Sequence, residues 1–162
     1  MGVVYGDALP LSGTIDLLQV HSHIGVVTLG KDLVSLCTTS FINPYELAHR
    51  KPSGNPPHDL LSFRGYRHKA ISVVDSLNFL YAGGSQDIII GLSGIRSTEI
   101  SVSKNQSWIS VSYNSTYKRV TVTVSQNYDA FARFGSVTIS GGGLSCGVLI
   151  NQSADEGSGG IK

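Results

Sequence analysis

The second half of the chain consists of short segments in which polar and apolar residues alternate. The alternation is clearest in KRVTVTVSQN, where Val120, Val122 and Val124 share one face of an extended strand and are predicted to enter a core. TEISVS, SWISVSY, GSVTISG and GVLINQSA follow the same pattern, and DIIIGLS is an apolar run typical of a buried strand. Turn-forming runs rich in Gly, Asn and Ser separate them. This series of short strands, spaced about ten residues apart, predicts an antiparallel β-sandwich.

Histidine and proline divide the chain into two parts. All five histidines and all five prolines lie before residue 75. We therefore predict an N-terminal module at residues 1–74, the sandwich at 75–154 and a flexible tail at 155–162. The N-terminal module lacks a regular strand pattern, so a small, irregular α+β structure is predicted there. The fold class of the whole chain is predicted to be mainly β.

One segment of the N-terminal module, LGKDLVSLCTTS, has the spacing of a short amphipathic helix. Leu29, Leu33, Leu36 and Cys37 share one stripe of this helix and are predicted to be core residues. A cysteine in such a stripe behaves as a small hydrophobic residue, so Cys37 is not predicted to be a nucleophile.

The remaining histidines and cysteines form no catalytic or metal-binding pattern. His21 and His23 would project to one side of an extended segment, and His49 and His58 could join them, but this spacing matches no zinc motif. Cys146 follows a glycine-rich turn in an alternating strand and is predicted to pack. We therefore expect no enzymatic activity, no catalytic residue, no cofactor and no metal.

Charge and hydropathy argue against two classes of partner. The formal net charge is +1, which gives no electrostatic attraction to nucleic acid. No apolar run is long enough to span a bilayer, and the opening MGVVYGDALPLSG has no feature of a secretion signal. We expect neither nucleic acid nor a membrane as a partner, and we expect the protein to be assembled in a cytoplasm.

The second half resembles a BACON domain, an immunoglobulin-like (Ig-like) sandwich common in Bacteroidetes proteins and in the phages that infect them. The resemblance is carried by GGSQ, WISVS, VTVTVSQN followed by Arg133, GSVTIS and INQSA, and it covers residues 75–154. It implies an Ig-like fold. It also implies one of two roles, because BACON domains were proposed to bind carbohydrate and in other settings serve as spacers.

Individual residues of the sandwich have predicted roles. Trp108 is predicted to fill the space between the sheets, with stacking on a sugar as the alternative. Arg133 is predicted to hydrogen-bond loop carbonyl groups, the alternatives being an ion pair with an acid such as Asp129 or a carbohydrate contact. Asn127 and Asn151 are predicted to cap turns and strand ends. The candidate glycan-facing residues are Tyr113, Tyr117, Tyr128 and Phe131.

Residues 15–52 resemble a segment of virion proteins from Bacteroides-infecting phages, including crAss-like phages. The shared elements are Leu29-Gly30, Asp32-Leu33, Leu36-Cys37, Ile42-Asn43 and Lys51-Pro52, and Tyr45 stands in place of the segment's usual tryptophan. The resemblance implies a docking segment with other virion proteins and further copies of this chain as partners, and a location in the virion. The candidate interface residues are Ile42, Asn43, Tyr45, Arg50 and Lys51.

Two functions from different classes follow from these resemblances. The leading hypothesis is a non-enzymatic structural component of a phage virion, such as a capsid auxiliary protein, a head fibre or a tail accessory protein, with the sandwich facing outward. The alternative is a carbohydrate-binding adhesin module that contacts host or mucin glycans. A cysteine- or metal-dependent hydrolase, which would lose activity on Cys37→Ala or on chelation, has the weakest support in the sequence.

Overall fold

The protein has a mainly β structure with antiparallel sheets, which confirms the predicted fold class. The computed structural model describes residues 1–9, 17–24, 42–46, 51–52, 63 and 66–155. The helix is α1 (Leu17–Ile24), a short 3-10 turn covers Ser97–Glu99, and the strands are β1 (Gly2–Tyr5), β2 (Ala70–Val73), β3 (Ser76–Phe79), β4 (Gly84–Ile89), β5 (Gly91–Ser93), β6 (Ser101–Lys104), β7 (Ile109–Asn114), β8 (Arg119–Val124), β9 (Arg133–Gly141) and β10 (Leu144–Gln152).

Two sheets enclose the main hydrophobic core of the described residues. One has the strand order β3-β10-β9-β6 and the other the order β4-β8-β7. The pairing of β3 with β10 is parallel, and the other pairings in these sheets are antiparallel. Because side chains alternate between faces, Val120, Val122 and Val124 of β8 are all buried. Facing them in the same cluster are Val137, Ile139, Val148 and Ile150 of β9 and β10, and each such side chain contributes about 1.5–3 kcal/mol on burial.

The chain passes from one sheet to another at two bends. β2 is followed almost directly by β3, yet β2 pairs with β5 and β3 pairs with β10. β4 continues into β5 across Ile90, whose backbone N–H donates to the Lys118 carbonyl at 2.8 Å. A third sheet, β1-β2-β5, therefore extends the β4-β8-β7 layer at the end where β4 continues into β5.

Residues 1–9, the N-terminal arm, cover the edge of this third sheet. The arm runs antiparallel to residues 66–73, from the pair Gly2↔Val73 to the contact between the Leu9 N–H and the Tyr66 carbonyl at 3.0 Å. All four residues of β2 are buried as a result. The predicted domain boundary at 74/75 falls between β2 and β3 and stays a prediction, but the third sheet contains strands from both sides of that boundary, because β2 pairs with β5.

The rings of His23, Phe63 and His68 contact the ring of the buried Tyr66. Val20 and Ile24 of α1 are buried, and the rings of Phe63 and Tyr66 meet edge to face with their centroids 5.8 Å apart. The predicted core stripe of Leu29, Leu33, Leu36 and Cys37 lies outside the described residues, as does the tail from residue 156. Among the residues that the structure describes, no helix has the length and apolar character needed to cross a bilayer.

Candidate binding site

Five large apolar side chains are exposed at one end of the sandwich, which we call the aromatic end. Leu80 and Tyr81 lie in the turn after β3, Tyr128 and Phe131 in the loop between β8 and β9, and Phe134 on β9. The exposed fractions are 77% for Tyr128, 81% for Phe131 and 67% for Phe134. The turn and the loop meet because the Asn127 backbone N–H donates to the Tyr81 carbonyl at 2.7 Å. Groups of exposed apolar side chains are typical of binding surfaces.

The aromatic end is held together by the side-chain amide of Gln152. This residue is 1% exposed. Its Nε2 group donates to the carbonyl oxygens of Leu80, Tyr81 and Ser125 at 3.1, 3.1 and 2.9 Å. The amide therefore joins the last residue of β10 to both connecting segments.

Arg133 extends the same network, and its predicted role is confirmed. Its Nε donates to Gln152 Oε1 at 2.8 Å, and its NH2 group donates to the carbonyl oxygens of Ser125 and Gln126 at 2.8 and 3.1 Å. The guanidinium carbon lies 4.4 Å from the centroid of the Trp108 ring, a cation–π contact. Trp108 packs against the core as a half-buried side chain. Because Arg133 covers one face of its indole, that face is closed to a sugar.

Asn127 fixes the loop that carries the two most exposed aromatic side chains. It is fully buried. Its Nδ2 donates to the carbonyl oxygens of Phe131 and Ser153, both at 2.9 Å, and its Oδ1 accepts the Asp129 N–H at 3.2 Å. The predicted capping role of Asn127 is therefore confirmed.

A shallow groove of about 380 Å³ lies beside the aromatic end. Asn78, Asn151 and Phe134 form a row across its floor, because Asn151 of β10 is paired with Asn78 of β3 on one side and with Phe134 of β9 on the other. The Asn151 amide donates to Asn78 Oδ1 at 2.9 Å. The residues that line the groove are uncharged: Asn78, Phe79, Leu80, Ala132, Phe134, Asn151, Gln152 and Ser153.

The four predicted glycan-facing residues do not meet at one site. Tyr128 and Phe131 belong to the aromatic end, whereas Tyr117 lies in the turn between β7 and β8, at the other end of β8. Tyr113 is half-buried, and its hydroxyl donates to the Ser97 carbonyl at 2.8 Å. Burial raises the pKa of Tyr113 above its ordinary value. Phe134 was missed, although its position as a large apolar residue on the outward face of an alternating strand could have indicated it.

The predicted interface residues that the structure describes are held by contacts within the chain. Asn43 is completely buried: its backbone N–H donates to the Tyr66 hydroxyl at 2.6 Å, and its Nδ2 to the Arg67 carbonyl at 2.7 Å. The half-buried Tyr45 lies over Gly91 so closely that a Cβ there would overlap its ring. Lys51 donates to the Pro44 carbonyl at 2.8 Å, Ile42 is half-buried, and Arg50 lies outside the described residues.

The same region contains an ion pair that the sequence did not indicate. Arg67 NH2 lies 2.6 Å from Glu46 Oε1, and the Glu46 side chain has no exposed surface. The hydrogen bond to Glu46 raises the pKa of Arg67. The Arg67 guanidinium also lies 3.6 Å above the ring of Tyr5, whose hydroxyl donates to the Tyr45 carbonyl at 2.7 Å. Residues 42–46 are thereby fastened to the N-terminal arm and to the residues before β2.

Burial shifts the pKa values of two histidines and one cysteine. The described residues contain no group of three or more His, Cys, Asp or Glu side chains that could hold a metal. The His68 backbone N–H donates to His23 Nε2 at 3.4 Å. Burial lowers the pKa of both histidines, that of His68 to about 4. Cys146 is half-buried, and burial raises the pKa of its thiol, which keeps it protonated. The side chains of Cys37, His21, His49 and His58 lie outside the described part.

Comparison with solved structures found distant similarities. The chain is similar to a protein from Bacteroides thetaiotaomicron determined by NMR, at 14% identity over 52% of this chain and 85% of that chain, with a TM-score of 0.41. It is similar to an endo-fucoidan hydrolase of glycoside hydrolase family 107, at 11% identity over 53% of this chain and only 13% of that chain, with a TM-score of 0.40. A chimeric titin Z1Z2 structure is similar at 12% identity over 51% of this chain and 91% of that chain, with a TM-score of 0.36.

Comparison with protein sequences gave one family. No curated protein sequence matches the chain. Residues 97–153 match the model of the BACON family, which is described as "Putative binding domain, N-terminal". The matched stretch begins at the 3-10 turn and includes β6 to β10, together with Trp108, Asn127, Arg133, Phe134 and Gln152. The predicted resemblance of the second half to a BACON domain is therefore supported over residues 97–153, the stretch that carries most of the aromatic end.

Proposed function

We propose that the protein is a non-catalytic binding module whose aromatic end binds carbohydrate. The observation that carries the proposal is the strongly exposed Phe134 beside the amide pair of Asn78 and Asn151, with the exposed Tyr128 and Phe131 in the loop that leads into β9. Sugar sites combine apolar ring faces with a few polar groups that fix orientation. The match of residues 97–153 to a binding-domain family supports the same proposal.

Rigidity of the site adds to this support. The loops that carry the aromatic side chains are fixed by the buried amides of Gln152 and Asn127 and by the guanidinium of Arg133. A ligand that meets side chains already held in place loses less conformational entropy on binding. The hydrogen bonds of Gln152, Asn127 and Arg133 therefore suit a binding surface whose loops keep one conformation with and without a ligand.

The test is binding to a glycan array by protein that has been biotinylated and tetramerised on streptavidin, so that weak single sites are detected through avidity. Phe131→Ala and Phe134→Ala should each weaken binding roughly three- to tenfold, as expected for losing one aromatic contact. The matched control is Tyr117→Ala, since Tyr117 is 67% exposed at the opposite end of β8. Equal losses in all three variants, or no binding by the folded wild-type protein, would refute the proposal.

A second candidate function is a structural role in a phage virion. Its support is the resemblance of residues 15–52 to a virion segment, together with the attachment of residues 42–46 to Gly91 of β5 through Tyr45 and to Arg67, before β2, through Glu46. On this proposal the partners are other virion proteins and further copies of the chain, and the sandwich faces outward from a capsid, head fibre or tail. Ile42, Tyr45, Arg50 and Lys51 would lie nearest the partner, and the buried Asn43 would support them from within.

Purified phage particles provide the test of this second function. The chain should be detected in them by mass spectrometry and should be traceable in a cryo-EM map of the particle. Particles that lack the chain, produced by cells that contain it, would exclude the virion role and leave the adhesin-like role standing.

A further inference from the structure

We infer that the groove across Asn78, Asn151 and Phe134 takes a neutral sugar, a pyranose without sulfate, phosphate or carboxylate groups. The inference rests on the proposed function, because it names the class of carbohydrate for that same site. It follows from the hydrogen-bonding groups of the groove, from the placement of nearby charges and from the geometry of the row.

The amide pair offers one donor and one acceptor to a ligand. The bond between Asn151 Nδ2 and Asn78 Oδ1 leaves the Asn78 Nδ2 group and the Asn151 Oδ1 atom without a protein partner among the described residues. A sugar hydroxyl both donates and accepts, so two neighbouring hydroxyls can satisfy both atoms. An anionic group only accepts, so it can pair with the Asn78 Nδ2 group but cannot donate to Asn151 Oδ1.

The cation that precedes Phe134 in β9 is turned away from the groove. Arg133 and Phe134 are consecutive residues of β9, so their side chains project to opposite faces of the sheet. The Arg133 guanidinium is engaged by Gln152, Ser125 and Gln126 and lies over Trp108. It therefore cannot pair with an anionic substituent in the groove while this network is intact.

An acidic residue adjoins the same end of the sandwich. Asp129 is exposed in the loop between β8 and β9, where its backbone N–H donates to Asn127 Oδ1 at 3.2 Å. Its negative charge opposes an anionic ligand, whereas a neutral ligand is indifferent to it.

The row also has the shape for one ring. Phe134 lies one strand away from Asn151, and Asn78 lies one strand further, so the row spans about 10 Å. A pyranose whose apolar face rests on Phe134 would present its edge hydroxyls to the amide pair. The flanking Leu80 and Ala132 enclose the ring without adding polar groups.

The experiment uses pairs of glycans that differ only by a sulfate or a sialic acid, each titrated into the full chain by calorimetry at low and high salt. Neutral members should bind more tightly, with an affinity that salt does not change, and Asn151→Ala should lower it roughly three- to tenfold. The control is Ser145→Ala, which removes a hydroxyl of a second outward polar pair, Ser140 with Ser145, on β9 and β10, the strands that carry Phe134 and Asn151.

The outcomes separate the two proposals. Tighter binding of the anionic members, with loss on Phe134→Ala, would overturn the neutral-sugar inference and leave carbohydrate binding intact. Neutral binding that survives Asn151→Ala unchanged would also overturn it, since the site would lie elsewhere. No binding of either class by folded protein would overturn the proposed function and this inference with it.

Discussion

The amide of Gln152 allows a test in which one nitrogen is exchanged for one oxygen. Its Nε2 group donates to three carbonyl oxygens within 3.1 Å, and its Oε1 accepts from Arg133. Gln152→Glu keeps the size and shape of the side chain. It replaces the donor by a carboxylate oxygen, which then faces the carbonyl groups of Leu80, Tyr81 and Ser125.

The expected cost can be estimated from these contacts. An NH₂ group has two hydrogens, so two hydrogen bonds of about 0.5–1.5 kcal/mol each are lost. Leaving buried carbonyl oxygens against another oxygen adds about 1–3 kcal/mol. The stronger, charge-assisted bond from Arg133 returns about 1 kcal/mol. We therefore expect Gln152→Glu to lower the free energy of unfolding by about 1–5 kcal/mol at pH 7.

The pH dependence of this cost has a definite sign. Three carbonyl oxygens around a buried carboxyl group favour its neutral form and raise its folded-state pKa above the ordinary value of about 4.3. The destabilisation is then fully present above the folded-state pKa and is relieved as the pH falls through it. The difference in unfolding free energy between variant and wild type should therefore shrink between pH 7 and pH 4.

Equilibrium unfolding in urea, followed by tryptophan fluorescence, measures this difference at each pH. The matched control is Gln86→Glu, because Gln86 is exposed and its Nε2 donates to a single carbonyl, that of Asn78. The control should change stability by less than about 1 kcal/mol. A Gln152→Glu protein as stable as the control would show that the buried amide does not hold the two segments together.

Three further predictions concern the N-terminal part of the protein. Burial lowers the pKa of His68 to about 4, so the folded protein resists protonation of a side chain that the unfolded chain protonates near pH 6.5. The free energy of unfolding should therefore fall by about 2 kcal/mol or more between pH 6.5 and 4, and His68→Gln should reduce this fall in urea titrations. Gly91→Ala should lower the free energy of unfolding by about 1–3 kcal/mol, because the added Cβ overlaps the Tyr45 ring, and by less in a Tyr45→Ala background. A double-mutant cycle measures this difference, and additive effects of the two substitutions would exclude the contact between Tyr45 and Gly91. Removing residues 1–6 should speed amide exchange at Ile71 and cause self-association in sedimentation experiments, since it uncovers the edge of β2; unchanged exchange would contradict the pairing.

Much of the sandwich was readable from the sequence because strand alternation is a local property. The valines of β8 need only a period of two to indicate their buried face, and Asn127 and Arg133 stand in or beside a turn where amide and guanidinium groups have loop carbonyls within reach. Gln152 was not identified, since a glutamine on the inward face of a strand looks unfavourable until the two loops above it are placed.

Long-range pairing was the part that the sequence could not provide. Nothing in GVVY indicates that it pairs with residues 70–73 rather than with any other strand, because the partner is specified by the shape of the whole sheet. Glu46 and Arg67 likewise look like ordinary surface charges, and only the fold brings them to 2.6 Å. The candidate site depends on the same kind of contact: Phe134 is visible as an outward residue, but its neighbours Asn78 and Asn151 come from strands far apart in the chain.

The position of the N-terminal arm also sets an order of events during synthesis. Residues 2–9 leave the ribosome before the residues they pair with, 66–73, which follow roughly 60 positions later, a delay of about 3–12 s at about 5–20 residues per second. The strand next to β2 on its other side, β5, is made later still, and β3 finds its partner β10 only when synthesis of the sandwich is complete. The residues of the arm are therefore among those that wait longest for a partner, and the arm joins the nascent chain as a late, slow-closing contact.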